Sequence, residues 1–244
     1  MEEESLTPRE ELREIVTQLK NLLTFDHDLG LDAPPLSEAS LSYLEKGPSM
    51  AGSLETLKEA VMDCRRCRLS QSRTQPVFGE GDPRAQLVFV GEAPGKDEDL
   101  SGRPFVGEAG RLLTRIIEKG MNLKREEVYI CNVVKCRPPG NRDPQRDEIE
   151  TCLPFLEKQI RLIRPKVICT LGRIAAKSLL GREFRIKAER GKWQSFMGIP
   201  LMPTFHPSYI LRKPEMEKTL KGMVWSDIQA VMKRLGLEVR KNAQ

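Results

Sequence analysis

Residues that could do chemistry stand at three kinds of place in this sequence. The first is the stretch 86–110, QLVFVGEAPGKDEDLSGRPFVGEAG. Residues 87–90 are apolar and β-rich and read as a short buried strand. The strand runs into Gly91, Glu92, Ala93, Pro94 and Gly95, whose glycines and proline force a tight loop. Asp97, Glu98 and Asp99 follow, then Phe105, then a helix expected from Glu108 with Leu112, Leu113, Ile116 and Ile117 on one face and Gly120 as its stop. The intervening loop of about 18 residues exceeds the usual ~2–6 of a strand-to-helix connection, and long loops of this kind tend to carry function. It is not a P-loop, because Gly91 and Gly95-Lys96 are one residue too close and Asp97 stands where Ser or Thr is needed. Nor is it a dinucleotide fingerprint, since GxGxxG is absent.

The second place is a pair of strand ends. Residues 128–134 read as a strand containing Asn132, and residues 200–204 as a strand that leads into Phe205, His206, Pro207 and Ser208. In a parallel sheet such ends open on the same crevice as Glu92 to Glu98. His27 falls in a linker-like stretch, which leaves His206 as the histidine of interest.

The third is the cysteines. Cys131 and Cys169 lie inside apolar strand runs and read as buried core thiols. Cys64 and Cys67, with two residues between them, and Cys136 and Cys152, with fifteen between them, could supply four thiolates. Such sets bind zinc or an iron–sulfur cluster, and spacing alone leaves both open. Zinc ribbons usually pair two close CxxC knuckles, whereas here Cys152 is expected on a helix, which leans toward a 4Fe–4S cluster.

The elements that must position these groups alternate strand with helix. Strands are expected at 87–90, 128–134, 166–171 and 200–204. Ser53 caps a short helix that delivers Cys64 and Cys67. Asp143 and Pro144 should open a helix bearing Cys152, broken or kinked at Pro154. Further helices are expected at 173–180 and 216–235. The fold class is therefore α/β, a three-layer α/β/α arrangement with a central parallel sheet of roughly four strands. Residues 8–24 form an amphipathic helix pattern and 26–52 a linker, so residues 1–52 are an acidic appendage and 53–244 the working domain.

The net charge of +5 is uneven: residues 1–50 carry 4 Lys/Arg against 11 Asp/Glu, a net of −7, and residues 51–244 the other 36 against 24, a net of +12. A basic domain suggests a polyanionic partner. No apolar run approaches the ~18 residues of a membrane span and no signal peptide opens the sequence, so a cytoplasmic protein without membrane association is expected. In that reducing compartment six cysteines are not a disulfide framework.

Taken in order, GEAPGKDED, GRPFVGEAG, NVVKCRPPGNRDP and HPSYILR resemble the motifs of family 4 uracil-DNA glycosylases, the iron–sulfur members of their superfamily. The resemblance covers about residues 60–235. It implies a 4Fe–4S cluster on Cys64, Cys67, Cys136 and Cys152, and it implies roles position by position. Glu92, Ala93 and Pro94 line the uracil pocket, Phe105 stacks on the flipped base, Asn132 reads its edge, and His206 meets the carbonyl between the ring nitrogens. Ser208, Tyr209, Leu211 and Arg212 belong to the loop that enters DNA and holds phosphates. Glu92 or Glu98 would orient the attacking water, because Ala93 stands where family 1 enzymes have Asp. The basic, His-containing insert of the covalent uracil-trapping relatives is absent, so turnover is expected. The partner would be uracil-containing DNA, single- or double-stranded, and the protein a monomer acting first in base excision repair. Two other readings are an iron–sulfur DNA-binding or redox-sensing protein without glycosylase activity, and a glycosylase for hypoxanthine or xanthine. The first would explain the cysteines and the basic charge but not Phe105, Asn132 and His206 at converging loops.

Overall fold

The computed structural model describes residues 53–239. The helix expected at 8–24 and the linker expected at 26–52 lie outside the described residues. Ser53 caps α1 (Leu54–Met62), its hydroxyl accepting from the Thr56 N–H.

Among the described residues six strands form one sheet, in the order β1-β3-β2-β4-β6-β5. They are β1 (Glu80–Gly81), β2 (Leu87–Gly91), β3 (Tyr129–Asn132), β4 (Val167–Leu171), β5 (Gln194–Phe196) and β6 (Ile199–Thr204). The inner four, β3-β2-β4-β6, are parallel. The two edges are antiparallel additions that the sequence reading lacks. They have two and three residues and are only partly buried, too short to show a period of two, and they shorten the exposed edges of the sheet.

The inner strands are buried on both faces, and their pleat sorts side chains to two cores. Val88, Val90 and Ile168 face α1, α4 (Arg146–Ile163) and α5 (Arg173–Leu180), against Leu57, Val61, Leu156, Ile160 and Leu179. Leu87, Phe89, Ile130 and Met202 face α3 (Glu108–Arg115), the π-helical turn Ile116–Gly120 that follows it, and α8 (Glu217–Leu235), against Leu113, Ile117, Val224, Ile228 and Val231. Cys131 and Cys169 are buried, one in each core. The architecture is the expected α/β/α with a parallel centre, each fully buried aliphatic side chain contributing about 1.5–3 kcal/mol. Among the described residues no helix is long and apolar enough to cross a membrane.

Several boundaries differ from the sequence reading. The long loop after β2 is not structureless, since it folds α2 (Lys96–Ser101) between Gly95 and Gly102. Strand β3 stops at Asn132, yet Val133 and Val134 still donate to the Gly91 and Glu92 carbonyls, which holds the two exits together. Helix α4 begins at Arg146, not at Pro144. The Glu148 carboxylate reaches back to the Gln145 N–H at 2.8 Å and fixes the start there, which frees Asp143. Pro154 does not break α4, because it lies on the exposed face, where water can satisfy the carbonyl that loses its donor.

The register aligns Gly91 with Asn132 and Leu171 with Thr204, so the carboxyl ends of the inner strands finish together. The chain leaves β2 toward β3 on one side and later crosses to β4 on the other. A crevice opens where such connections part.

Candidate active site

A cavity of about 620 Å³ occupies that crevice. Its floor is Asn132, 1% exposed, whose Oδ1 has no hydrogen-bond partner. An orphaned acceptor at such depth is costly unless something brings it a donor. Gly91, paired with Asn132 across the sheet, is what lets it sit there: a Cβ at Gly91 would press on Asn132 Oδ1 and lie within 2.7 Å of Phe105 Cε2.

Phe105 forms one wall. Its backbone is left-handed, with φ at 53°, a conformation that a bulky residue holds only when its surroundings impose it. The surroundings are visible. Arg125 Nη2 donates to the Pro104 carbonyl at 2.6 Å, and Gly110 in α3 has no Cβ to collide with the Phe105 carbonyl. Opposite lies His206, ring centroids 5.6 Å apart and tilted by 32°.

His206 is the N-cap of α7 (Pro207–Leu211), the helix that follows α6 (Ile186–Glu189). Its Nδ1 accepts the Ser208 N–H at 3.1 Å and lies 2.8 Å from Ser208 Oγ. With Nδ1 occupied as acceptor, the proton of a neutral ring belongs on Nε2. Burial, helped by Arg212, pushes the pKa down to about 4, so near neutrality the ring is uncharged. Ser208, Tyr209 and Arg212 line the cavity, whereas Leu211 packs partly buried against the second core.

The two glutamates of the loop differ in what surrounds them. Glu98 Oε2 accepts from Gly95 N–H at 3.0 Å, and its Oε1 from Val106 and Gly107 N–H at 2.9 and 3.0 Å. Three backbone donors engage both oxygens, so Glu98 ties the loop after β2 to the segment bearing Phe105. Glu92 makes no such bonds. Burial raises its pKa to about 7, with the Asp143 charge adding to the rise while Arg173 and Arg212 oppose it. A carboxylate poised near neutrality can accept a proton from water. Ala93 and Pro94 complete this side of the cavity.

The sequence reading missed the far wall. Pro138, Asn141, Arg142, Asp143, Arg173 and Lys187 all line the cavity. Asp143, taken there for a helix cap, instead pairs with Arg173 at 3.1 Å. The basic count around Pro138 and Arg142 was the available signal, but only the fold brings it opposite Glu92.

A second, smaller cavity is lined by Cys64, Cys67, Cys136 and Cys152, together with Arg73, Lys135 and Phe155. Residues separated by up to 88 positions in sequence thus meet. Arg73 Nη1 donates to Cys136 Sγ at 2.8 Å, and the Lys135 N–H to Cys152 Sγ at 3.3 Å. Burial raises the Cys136 thiol and pushes Cys152 up to about 11, while Arg73 and Lys135 pull them back. No three His, Cys, Asp or Glu side chains among the described residues are arranged to hold a metal ion as they stand. The donor set still fits a thiolate-ligated group, with four thiols on one cavity and N–H donors already aimed at two sulfurs.

A sequence model described as the Uracil DNA glycosylase superfamily matches residues 78–229. A curated protein of Sulfurisphaera tokodaii named Type-4 uracil-DNA glycosylase is 50% identical over 177 residues, 69% of this chain and 80% of that protein. One of the same name from Thermotoga maritima is 46% identical over 178 residues, 72% of this chain and 91% of that protein. A Type-5 uracil-DNA glycosylase of Thermus thermophilus is 36% identical over 120 residues, 43% of this chain and 54% of that protein.

Proposed function

Because this chain belongs to the uracil DNA glycosylase superfamily, we infer that it is a uracil-DNA glycosylase of the type-4 kind, hydrolysing the N-glycosidic bond of uracil in DNA and leaving an abasic site. The observation that carries the reading is the orphaned Asn132 Oδ1 at the floor of a cavity walled by Phe105 and His206. Uracil presents an N–H at position 3 and a carbonyl at position 4, and one carboxamide can accept from the first and donate to the second. Cytosine presents the reverse pattern. It would leave buried groups unpaired, a mismatch that can cost factors of about 10⁴–10⁵.

The chemistry follows from the same groups. A base inside a duplex cannot reach the Asn132 floor, so it is flipped, and Phe105 takes its face. The bond to the sugar breaks with oxocarbenium-like character and the leaving uracil gathers negative charge. His206, neutral and with its proton on Nε2, supplies a donor to O2 without needing to be charged. Glu92 takes the proton of the attacking water, and Glu98 keeps the Glu92 loop and the Phe105 segment in register. Lys187 and Arg212 give the rim the positive charge that phosphates require, since Arg142 and Arg173 are paired with Glu148 and Asp143. We place DNA of either strandedness and a monomeric enzyme within this reading.

Cys64, Cys67, Cys136 and Cys152 would hold the 4Fe–4S cluster. When bound, it would supply a cross-link joining the segment after α1, the segment after β3 and α4, not a reaction step. The thiols lie outside the residues that line the substrate cavity.

The experiment is excision from a uracil-containing oligonucleotide, with alkali to cleave abasic sites and cytosine, thymine and hypoxanthine strands for comparison. Cleavage confined to uracil is expected. A brown protein that binds DNA and cleaves none of the strands would return the reading to a DNA-binding or sensing role.

A further inference from the structure

The cysteine cavity and the substrate cavity share one short segment. Asn132 ends β3, Cys136 follows four residues later, and Lys135 lies between. Lys135 is 1% exposed and lines the cysteine cavity. Its Nζ donates to the Asn132 carbonyl at 2.8 Å and to Gln159 Oε1. Gln159 is itself fixed, donating to the Phe78 carbonyl at 2.9 Å and to the Tyr129 hydroxyl at 3.1 Å. Both acceptors of the side-chain nitrogen are neutral oxygens, and among the described residues no carboxylate pairs with it. An ammonium buried without an anion is costly, and such groups are found paired or beside another charge.

The groups of the same cavity that would become anions on ligating a cluster are sulfurs. The backbone N–H of Lys135 already donates to Cys152 Sγ. A second cation, Arg73, donates from Nη1 to Cys136 Sγ and from Nη2 to the Cys64 carbonyl at 2.7 Å. Four thiolates brought into one small cavity carry four negative charges, more than an iron–sulfur core of this size returns, so the ligated group stays anionic and needs compensation.

We propose that Lys135 and Arg73 are the counter-charges of the thiolate-held cluster, and that Lys135, through its bond to the Asn132 carbonyl, is the positioning residue that ties that cluster to the base-reading carboxamide. This rests on the cluster reading above. It gives the buried lysine two roles: it offsets charge on one side and fixes a strand end on the other. Loss of the cluster then removes the reason for the ammonium to stay where it holds Asn132.

The test uses the full-length protein, purified without oxygen, as wild type and as Lys135→Met, Arg73→Gln and Arg73→Lys. Iron content, the rate of iron release to a chelator and the cluster reduction potential are measured for each. Removing a positive charge beside the cluster disfavours adding an electron. Lys135→Met and Arg73→Gln should each shift the reduction equilibrium about tenfold, a fall of about 59 mV for one electron, and release iron about tenfold faster. Arg73→Lys should recover most of both, which loss of packing alone would not allow. At equal iron loading, Lys135→Met should excise uracil about tenfold more slowly than Arg73→Gln. If Lys135→Met does not fold, the Arg73 pair still decides the charge argument. Wild type without iron would defeat the cluster reading itself. Iron-loaded wild type whose potential and iron release are matched by both neutral variants would overturn this inference and leave the cluster reading standing.

Discussion

Glu92 offers the sharpest test of how the site works, because its environment fixes a pH. Its carboxyl is raised from 4.5 to about 7, first by burial and then by Asp143, against the pull of Arg173 and Arg212. If the ionised form is the one that works, kcat/KM should climb about tenfold per pH unit below 7 and level off near pH 8. His206 titrates near 4 and adds no second limb in this range. Asp143→Asn removes the second cause of the shift and frees Arg173 for Glu92, so the acid limb should move to lower pH. The same shift has a stability sign. The folded-state pKa lies above the unfolded value, so the contribution is fully present below about 4.5 and is lost as pH rises through about 7. At about 1.36 kcal/mol per unit, the ionised carboxylate costs the folded protein up to about 3 kcal/mol at high pH. Glu92→Gln should therefore be slower in excision yet gain stability over wild type, with the gain growing between pH 5 and pH 9 in denaturant titrations. An acid limb that stays in place in Asp143→Asn, with Glu92→Gln excising at the parental rate and gaining no stability, would refute the reasoning.

The remaining expectations concern the other walls and the N-terminus. His206→Ala should slow single-turnover excision by about 10²–10³ with little change in affinity for abasic DNA, as for one lost oxyanion donor; a parental rate would remove His206 from the mechanism. Asn132→Ala should weaken both binding and cleavage, while Phe105→Ala, losing about 1–3 kcal/mol of stacking, should slow excision without relaxing the choice between uracil and cytosine. Gly91→Ala should cost about 1–3 kcal/mol in thermal denaturation and a larger share of activity, since its Cβ would press on Asn132 and Phe105; wild-type kinetics would show that the cavity floor can move. Deleting residues 1–50, net −7, should keep or tighten DNA binding, with affinity falling steeply as salt rises; a folded deletion that no longer binds DNA would place the binding surface elsewhere.

Much of the framework was legible because its causes are local. The Ser53 cap, the buried run of β2 and the amphipathic stripes of α3 and α8 each follow from neighbours a few residues away. The alternation of strand and helix is enough to imply a parallel sheet, and a parallel sheet brings Glu92, Asn132 and His206 to one edge. What failed were readings in which a local signal competed with a distant partner. Asp143 and Pro144 spell a helix start, but Glu148 holds the true one at Gln145, and Arg173, thirty residues on, takes Asp143. Pro154 spells a break, but its burial, not its identity, decides the cost. The edge strands β1 and β5 have no periodicity to read, since each is made by the strand it joins.

The same division runs through the site. Sequence alone determined which side chains could do the chemistry: four thiols, a carboxamide, an imidazole, an aromatic wall and a choice of two carboxylates. It also determined the charge that asks for a polyanion, because composition and order are properties of the chain. Only the tertiary structure set the glutamates in different surroundings, by giving Glu98 three backbone donors and leaving Glu92 in a partly buried place beside Asp143. Only it exposed Lys135 as a buried side chain between two cavities, and only it showed that a Cβ at Gly91 would press on Asn132 and Phe105 and one at Gly110 on the Phe105 carbonyl. Proton affinity, orphaned acceptors and steric room depend on neighbours from other strands and loops, and those neighbours exist only once the sheet has set its register.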